Sequence, residues 1–155
     1  MADSPIRKAL PGHRWERVET MRYKDEGSAP FRDITRQVLF HEDGLRCEWR
    51  YFEIAPGGYS SLERHEHAHA VMILRGRGRC LVGDRVHAVA ERDLVSVPPL
   101  TWHQFRADQD SPLGFLCLVD KERDRPQLPD AAQLAEMRRS PEVAAFVRVG
   151  DDRDA

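Results

Sequence analysis

Cysteine is scarce in this chain and long apolar runs are missing from it, which argues against a disulfide-stabilised protein and against a membrane-spanning one. The three cysteines, Cys47, Cys80 and Cys117, are an odd number scattered through apolar stretches. They predict reduced core thiols in a cytoplasmic protein rather than a disulfide framework. No run approaches the ~20 apolar residues that span a bilayer, and residues 1–15 lack the apolar core of a signal peptide. We therefore expect no membrane partner.

Lysine is also scarce, since Lys8, Lys24 and Lys121 are the only three among 24 lysines and arginines. The formal net charge is −2 over 155 residues, a length that suits one domain. A chain so close to neutral argues against a nucleic-acid partner that recognises bulk charge. Arginine binds carboxylate and phosphate groups through its planar fork. The excess of arginine is compatible with such a substrate and equally with a bias of composition, and the sequence leaves both open.

Turn signals separate short apolar segments along the middle of the chain. Asp43-Gly44 and Gly83-Asp84 are typical of two-residue hairpins, and the Pro-Pro pair at 98–99 marks another reversal. Short strands at this spacing predict an all-β sandwich or barrel, with strands at 15–23, 34–40, 45–54, 79–82, 86–90, 94–97, 103–107 and 115–119. The side chains expected in its core are Trp49, Tyr51, Met72, Trp102, Phe105, Phe115 and Cys117.

One stretch, residues 57–76, concentrates the polar groups with chemical potential and reads GGYSSLERHEHAHAVMILRG. Four side chains in it lie two residues apart, so a strand would aim all of them at one face; they are Glu63, His65, His67 and His69. Imidazole and carboxylate groups are costly in an apolar core but are good ligands for divalent transition metals. His103, which follows the Pro-Pro turn, is a further candidate ligand, of the kind that a neighbouring strand of a barrel would supply.

These two stretches resemble the paired motifs of the cupin superfamily, the small double-stranded β-helix barrels. The first motif is a glycine, five residues, His-x-His, three or four residues, Glu, six residues and a glycine. Its spacing is met here by Gly57, Glu63, His65, His69 and Gly76. The second motif ends in Pro-x-Gly-x-x-His, which residues 98–103 fit with Leu100 in place of the glycine, and Arg92 stands where a glycine usually precedes Asp93. The resemblance covers roughly residues 45–120.

Two ligand positions are exchanged relative to the family pattern. Glu63 stands where the family has its first His, and His69 stands where it has its Glu. A shifted frame would take His65 and His67 as the His pair, but it puts Val71 at the Glu position. We favour the first frame, in which His67 is a supporting or substrate-facing group.

The resemblance implies a jelly-roll-like barrel that holds one divalent transition-metal ion (Fe, Mn, Ni, Cu, Co or Zn) through Glu63, His65, His69 and His103. It further implies a metal-dependent enzyme acting on a small organic molecule, for which we expect a dioxygenase-type oxidoreductase with His67 as the candidate catalytic residue. A metal-dependent isomerase or lyase and a non-catalytic small-molecule-binding module are the alternatives. Cupin barrels commonly pair, so we expect a homodimer that covers open sheet edges.

Three regions are expected along the chain: an N-terminal extension at 1–30, the barrel at 31–120, and a charged connector with C-terminal helices at 121–155. Asp130 is placed to cap one short helix, and Ser140 followed by proline is placed to open a second. The connector itself is either a solvated loop or a flap over the barrel mouth.

Overall fold

The computed structural model of the protein describes residues 4–25 and 27–150. Strands dominate the described chain, and two short helices follow them. The strands are β1 (Ala9–Leu10), β2 (Arg14–Trp15), β3 (Met21–Arg22), β4 (Arg32–Phe40), β5 (Cys47–Tyr59), β6 (His69–Val82), β7 (Arg85–Ala90), β8 (Leu94–Val97), β9 (His103–Ala107) and β10 (Leu113–Asp120). The helices are α1 (Ala131–Met137) and α2 (Pro141–Phe146).

The main sheet closes on itself as a barrel. Its strands run in the order β10-β6-β9-β5-β4-β3, and β10 also pairs with β5, which completes a ring of β5, β10, β6 and β9. Strands β7 and β8 both pair with β6. The predicted hairpin turns at Asp43-Gly44 and Gly83-Asp84 connect β4 to β5 and β6 to β7. The expected all-β barrel with a short C-terminal helical tail is confirmed.

Two apolar clusters hold this architecture together. The larger one fills the barrel and includes Ile34, Phe52, Ile54, Val71, Ile73, Phe105, Leu113 and Phe115. The smaller one joins the helical tail to the barrel and is formed by Leu62, Leu81, Val143, Phe146 and Val147. Gln104 also joins the helical tail to the barrel, because its side-chain amide donates to the backbone carbonyls of Ser60 and Arg148. Because these apolar side chains leave water together, the tail is part of the folded core.

Both C-terminal helices begin at the predicted caps. Asp130 forms a capping box with Gln133, and the Ser140 hydroxyl accepts from the backbone N–H of Val143 ahead of α2. A proline at the first position of α2 suits that start, because its missing N–H would have no helical partner there. Among the described residues, no helix combines the length and the apolarity needed to cross a membrane.

Part of the predicted core lies instead on the outer face of the sheet. Trp49 and Met72 are 40% and 42% exposed, so placing them in the core was wrong. In β5 the even-numbered positions face the interior, and one of them is the polar Arg50. Tyr51 is buried on the outer side, where the ring of Trp15 packs edge-on at 5.4 Å. The sequence pattern misled because β5 carries aromatic residues on both faces, so its apolar alternation does not identify the interior.

Trp102 is another predicted core residue that is only half-buried, lying beneath the Arg64 guanidinium at 4.6 Å. The remaining predicted core residues, Phe105, Phe115 and Cys117, are buried as expected.

The predicted N-terminal strand over 15–23 is wrong in its continuity. The chain makes two separate two-residue strands there: β2 pairs with β1, and β3 pairs with β4 at the edge of the main sheet. Arg17 lies between them with φ 58°, a left-handed conformation that an extended strand does not contain.

Candidate metal centre

The histidine-rich segment does not form the continuous strand that its alternation predicts. β6 begins only at His69, and upstream of it Glu63 and Arg64 make isolated bridges to His103 and Gln127. The chain bends at residues 66–67, and the rings of His65 and His67 stack with centroids 3.7 Å apart. A bend, rather than regular alternation, therefore brings these imidazoles together.

Three of the predicted ligands lie close enough to share one ion. The ligand atoms of His65, His69 and His103 all lie within 4.8 Å of one another. Carbonyl groups orient two of the rings: His65 Nδ1 lies 2.7 Å from the oxygen of His67, and His103 Nδ1 lies 2.9 Å from the oxygen of Thr101. Each Nδ1–H donates to its carbonyl, which leaves Nε2 as the basic atom available to a metal.

The buried Nε2 of His65 supports a metal at this position. It makes no hydrogen bond to any part of the chain that the structure describes, and His65 is 1% exposed. A buried polar atom without a partner is costly, whereas a bound metal ion would satisfy it. The three imidazoles are also the donor type that first-row transition metals accept. The residues present therefore fit the ion that the family resemblance implies.

Burial keeps all three imidazoles in the neutral form that binds metals. Desolvation, reinforced by His103 and His67, lowers the pKa of His65 to about 4. Desolvation is also the main cause that lowers the pKa of His69, with His103 next. For His103, desolvation outweighs the opposing carboxylate of Glu63, so its pKa lies below the ordinary value as well. At neutral pH no proton competes with a metal at these sites.

The fourth predicted ligand, Glu63, is buried beside the triad and is held by two neighbours. Its Oε2 accepts from the Ser61 hydroxyl at 2.6 Å and forms an ion pair with the Lys24 ammonium. Burial alone would raise the pKa of Glu63, but the positive charge of Lys24 opposes that effect, and the pKa is lowered overall. Glu63 is therefore a carboxylate in this site, and Lys24 is a cation that a metal at Glu63 would have to compete with or displace.

His67, the predicted catalytic residue, lies against the triad from the connector side. Its Nε2 is 3.3 Å from His69 Nε2, and its Nδ1 is 2.7 Å from the Asp124 carboxylate. The same carboxylate accepts from the backbone N–H of Glu66 at 2.8 Å. These hydrogen bonds, the Glu66 one first, lower the pKa of Asp124 to about 2. Asp124 therefore fixes the His67 ring with its Nδ1–H outward and its Nε2 toward the triad.

The three-histidine cluster lies in the wall of a cavity of about 800 Å³, a size that suits a small-molecule ligand. Barrel-strand residues line it together with residues 21–25 and 28–29 of the N-terminal segment. The connector contributes residues 123–126 and 128 to the lining. The connector therefore contributes to the wall of the cavity, and its role as a flap stays a prediction.

Cys117 is buried as predicted, but it also lines the cavity, which the sequence did not indicate. Its Sγ lies 3.5 Å from His69 Nδ1 and 3.7 Å from an Arg50 side-chain nitrogen. Burial raises the pKa of the Cys117 thiol, and the nearby Arg50 opposes that effect without cancelling it. Among the described residues that line the cavity, Cys117 is the only thiol.

The chain belongs to the cupin superfamily, since the family model described as a cupin domain matches residues 50–119 and a close relative covers nearly the whole chain. That relative is the 1-methylthio-D-xylulose 5-phosphate methylsulfurylase of Rhodospirillum rubrum, which is 58% identical over 145 residues, 94% of this chain and 93% of its own length.

Solved structures agree with this membership. A cupin 2 conserved barrel domain protein from Rhodopseudomonas palustris has a TM-score of 0.88 and 55% identity, covering 93% of this chain and 99% of that one. A cupin-2 domain protein from Rhodospirillum rubrum has a TM-score of 0.83 and 57% identity, covering 92% of this chain and 96% of that one.

Proposed function

We propose that this protein is a metal-dependent enzyme that transfers the methylthio group of a small ketose phosphate, with 1-methylthio-D-xylulose 5-phosphate as the substrate to test first. The observation that carries the proposal is a buried thiol, Cys117, facing a three-histidine cluster inside a cavity of small-molecule size. The name of the 58% identical relative gives the substrate and the transferred group. None of the relatives described above is named an oxygenase, so the expected dioxygenase activity stays a prediction without further support.

The metal would be held by His65, His69 and His103, with Glu63 as the fourth candidate ligand. A divalent ion bound there would supply Lewis-acid stabilisation for negative charge on a substrate carbonyl oxygen. The remaining groups in the cavity bind the substrate, supply a nucleophile and move protons.

Cys117 is the nucleophile in this proposal. Its sulfur would attack the methylthio sulfur, the carbon–sulfur bond would break, and the electron pair would go to the carbon next to the ketone as an enolate. The products are a methyl disulfide on Cys117 and, after protonation of the enolate carbon, a deoxyketose phosphate. A thiol from solution would then reduce the disulfide and carry the methylthio group away.

Two neighbours of Cys117 suit it to this step. The thiolate rather than the thiol is the nucleophile, and the raised pKa of Cys117 means that a proton has to leave first. The His69 ring lies in contact with the sulfur, and the Arg50 guanidinium favours its anionic form. His67, oriented by Asp124, has the geometry of a group that holds or moves a proton at Nε2.

The decisive experiment supplies protein loaded with each candidate metal in turn with 1-methylthio-D-xylulose 5-phosphate and an excess of dithiothreitol. We expect release of the methylthio group and formation of the deoxyketose phosphate, and proton NMR would monitor both. Without added thiol, mass spectrometry should show one methylthio group bound to the protein. If no metal-loaded form releases the group, the proposed reaction is wrong.

A matched pair of cysteine variants isolates the nucleophile. Cys117→Ser should bind metal but lose turnover and the methylthio adduct. Cys47→Ser, at a half-buried position that does not line the cavity, should behave like the parent. Full turnover by Cys117→Ser would exclude Cys117 as the nucleophile.

The ligand assignment has its own test in metal content. His65→Ala and His103→Ala should each lose the metal, while His67→Ala should keep it. Loss of metal from His67→Ala together with its retention in Glu63→Ala would support the shifted motif frame instead.

A further inference from the structure

We infer that Arg36 and Arg50 form an anion subsite in the same cavity and bind the phosphate group of the substrate. This inference rests on the proposed function for the identity of the substrate, but it concerns two residues whose role neither the family motifs nor the metal centre explains. It commits to a phosphate monoester as the ligand class.

The strand register places both arginines inside the barrel. Arg50 is opposite Val38, and Arg36 is opposite Phe52, in the β4–β5 pairing. The two therefore occupy diagonal positions on the same face of the β4–β5 pair, a separation that long side chains can bridge. Both line the cavity.

Both guanidinium groups carry buried hydrogen-bond donors that the described chain does not use. The Nε atoms of Arg36 and Arg50 are buried and have no hydrogen-bond partner among the described residues. Arg50 is 9% exposed, and its nearest carboxylate, Glu48, is 3.7 Å away and is shared with His41 and Arg123 at shorter distances. Arg36 makes no ion pair with any described residue. An arginine whose donors are withdrawn from water gains from an anion that accepts them, and phosphate oxygens match the planar fork.

The charge of the cavity lining also favours an anionic ligand. Among described residues, the cationic side chains that line it are Arg22, Lys24, Arg36, Arg50, Arg123 and Arg125, and the carboxylates are Asp25, Glu63 and Asp124. Two of the three carboxylates are already engaged, Glu63 with Lys24 and Asp124 with His67. The cavity is therefore positive although the whole chain carries a net charge of −2, and a cleft of one sign attracts ligands of the other.

The position of the subsite agrees with the chemistry proposed nearby. Arg50 contacts Cys117 Sγ at 3.7 Å, and the same sulfur lies 3.5 Å from His69 Nδ1, so the subsite adjoins both the thiol and the histidine cluster. A ketose phosphate held by its phosphate at Arg36 and Arg50 would extend its carbonyl end toward the histidine cluster and the thiol. The subsite would thus fix which end of the substrate reaches Cys117.

The experiment compares binding of D-xylulose 5-phosphate and unphosphorylated D-xylulose by titration calorimetry, using metal-loaded protein of equal metal content. Neither probe contains a methylthio group, so the result does not depend on turnover. The parent should bind the phosphate ester more tightly than the free sugar. Arg36→Gln should weaken binding of the ester by about 10- to 100-fold, as expected for one or two lost charge-assisted hydrogen bonds, and should leave binding of the free sugar unchanged.

Arg85→Gln is the matched control, because Arg85 is exposed on β7 and does not line the cavity. It should bind both probes like the parent. Arg36→Lys keeps a cation but loses the fork, so it should give a smaller loss for the ester and should be used if circular dichroism shows that Arg36→Gln is unfolded. Parent-like binding of the ester by the folded variant, or equal binding of ester and free sugar by the parent, overturns the subsite.

The two proposals can fail separately. A loss of ester binding in Arg36→Gln together with no methylthio release by the parent would leave the subsite standing and remove the proposed reaction. Methylthio release by the parent with unchanged ester binding in Arg36→Gln would support the proposed reaction and remove the subsite.

Discussion

Lowering the pH should destabilise the metal-free protein, because its buried histidines resist protonation. The folded state keeps the pKa of His65 at about 4, whereas an unfolded histidine titrates near ~6.5. Below pH ~6.5 the unfolded state therefore binds more protons than the folded state, and the free energy of unfolding falls as pH falls. The loss is complete only when the pH passes the folded pKa, about 4 for His65.

The two pKa values set the size of the effect. Between pH 7.5 and pH 5, His65 alone should lower the free energy of unfolding by about 2 kcal/mol. His69 and His103, whose pKa values are also lowered by burial, act in the same direction. For a domain of this size, each 1 kcal/mol corresponds to roughly 2–4 °C in Tm. The measurement is urea unfolding of the metal-free protein at a series of pH values.

A substitution separates His65 from the rest of the molecule. His65→Asn removes one titrating group, so its stability should depend less steeply on pH than that of the parent by about 2 kcal/mol over the same range. His87→Asn, on the exposed face of β7, is the control and should keep the parent slope. A parent whose urea midpoint stays constant from pH 7.5 to 5 would refute the claim that burial keeps these imidazoles neutral. The lowered pKa of His65 makes a further prediction about metal binding. The protein should retain bound metal at pH values below about 6 to 5, the range in which protons would displace a metal from imidazoles of ordinary pKa.

Three further outcomes are expected. Gly78→Ala should lower the free energy of unfolding by about 3 kcal/mol, since an added Cβ would lie 2.1 Å from a backbone oxygen of the neighbouring strand; a urea midpoint like that of the parent would contradict this close approach. Arg92→Gly should raise it by about 0.5 kcal/mol, because φ 75° strains any residue but glycine and the entropy cost of glycine offsets only part of that strain; a lower midpoint in urea would count against strain at this position. Asp124→Asn should reduce turnover roughly 10-fold and move its pH profile without loss of metal, because Asp124 orients His67; an unchanged profile would show that this contact is structural.

Turn chemistry made most of the barrel predictable. Asp-Gly and Gly-Asp pairs fix hairpins through local backbone preferences, so the β4–β5 and β6–β7 connections could be predicted from a few residues. The face of β5 that points inward could not be predicted in this way, because the interior position of Arg50 goes with its contact to Cys117 and its place in the cavity lining. A local pattern of apolar residues contains no information about such distant contacts.

The histidine cluster was partly predictable for a different reason. Motif spacing brought out His65, His69 and His103, although the segment reaches them by a bend and not by the expected strand. Leu100 and Arg92 occupy two positions where the family pattern has glycine, and both keep the positive φ that glycine would adopt, 55° and 75°. The backbone of the second motif is therefore preserved without its glycines.

The groups that surround the histidine cluster could not be predicted from motif spacing. Lys24 pairs with Glu63 across 39 positions of sequence, and Asp124 meets His67 across 57. Cys117 alternates along β10 like an ordinary core residue. Each of these contacts depends on how the chain closes in three dimensions.

Part of the cavity lining comes from segments that flank the matched cupin domain. Residues 21–25, 28–29, 123–126 and 128 lie outside the matched span 50–119, yet they line the cavity. The strands that hold the histidines and these flanking segments are therefore separate parts of the chain, so changes in the flanking segments can alter the shape of the cavity while the strands stay as they are. Exchanging these two segments between related barrels offers a direct way to redirect substrate choice without redesigning the site itself.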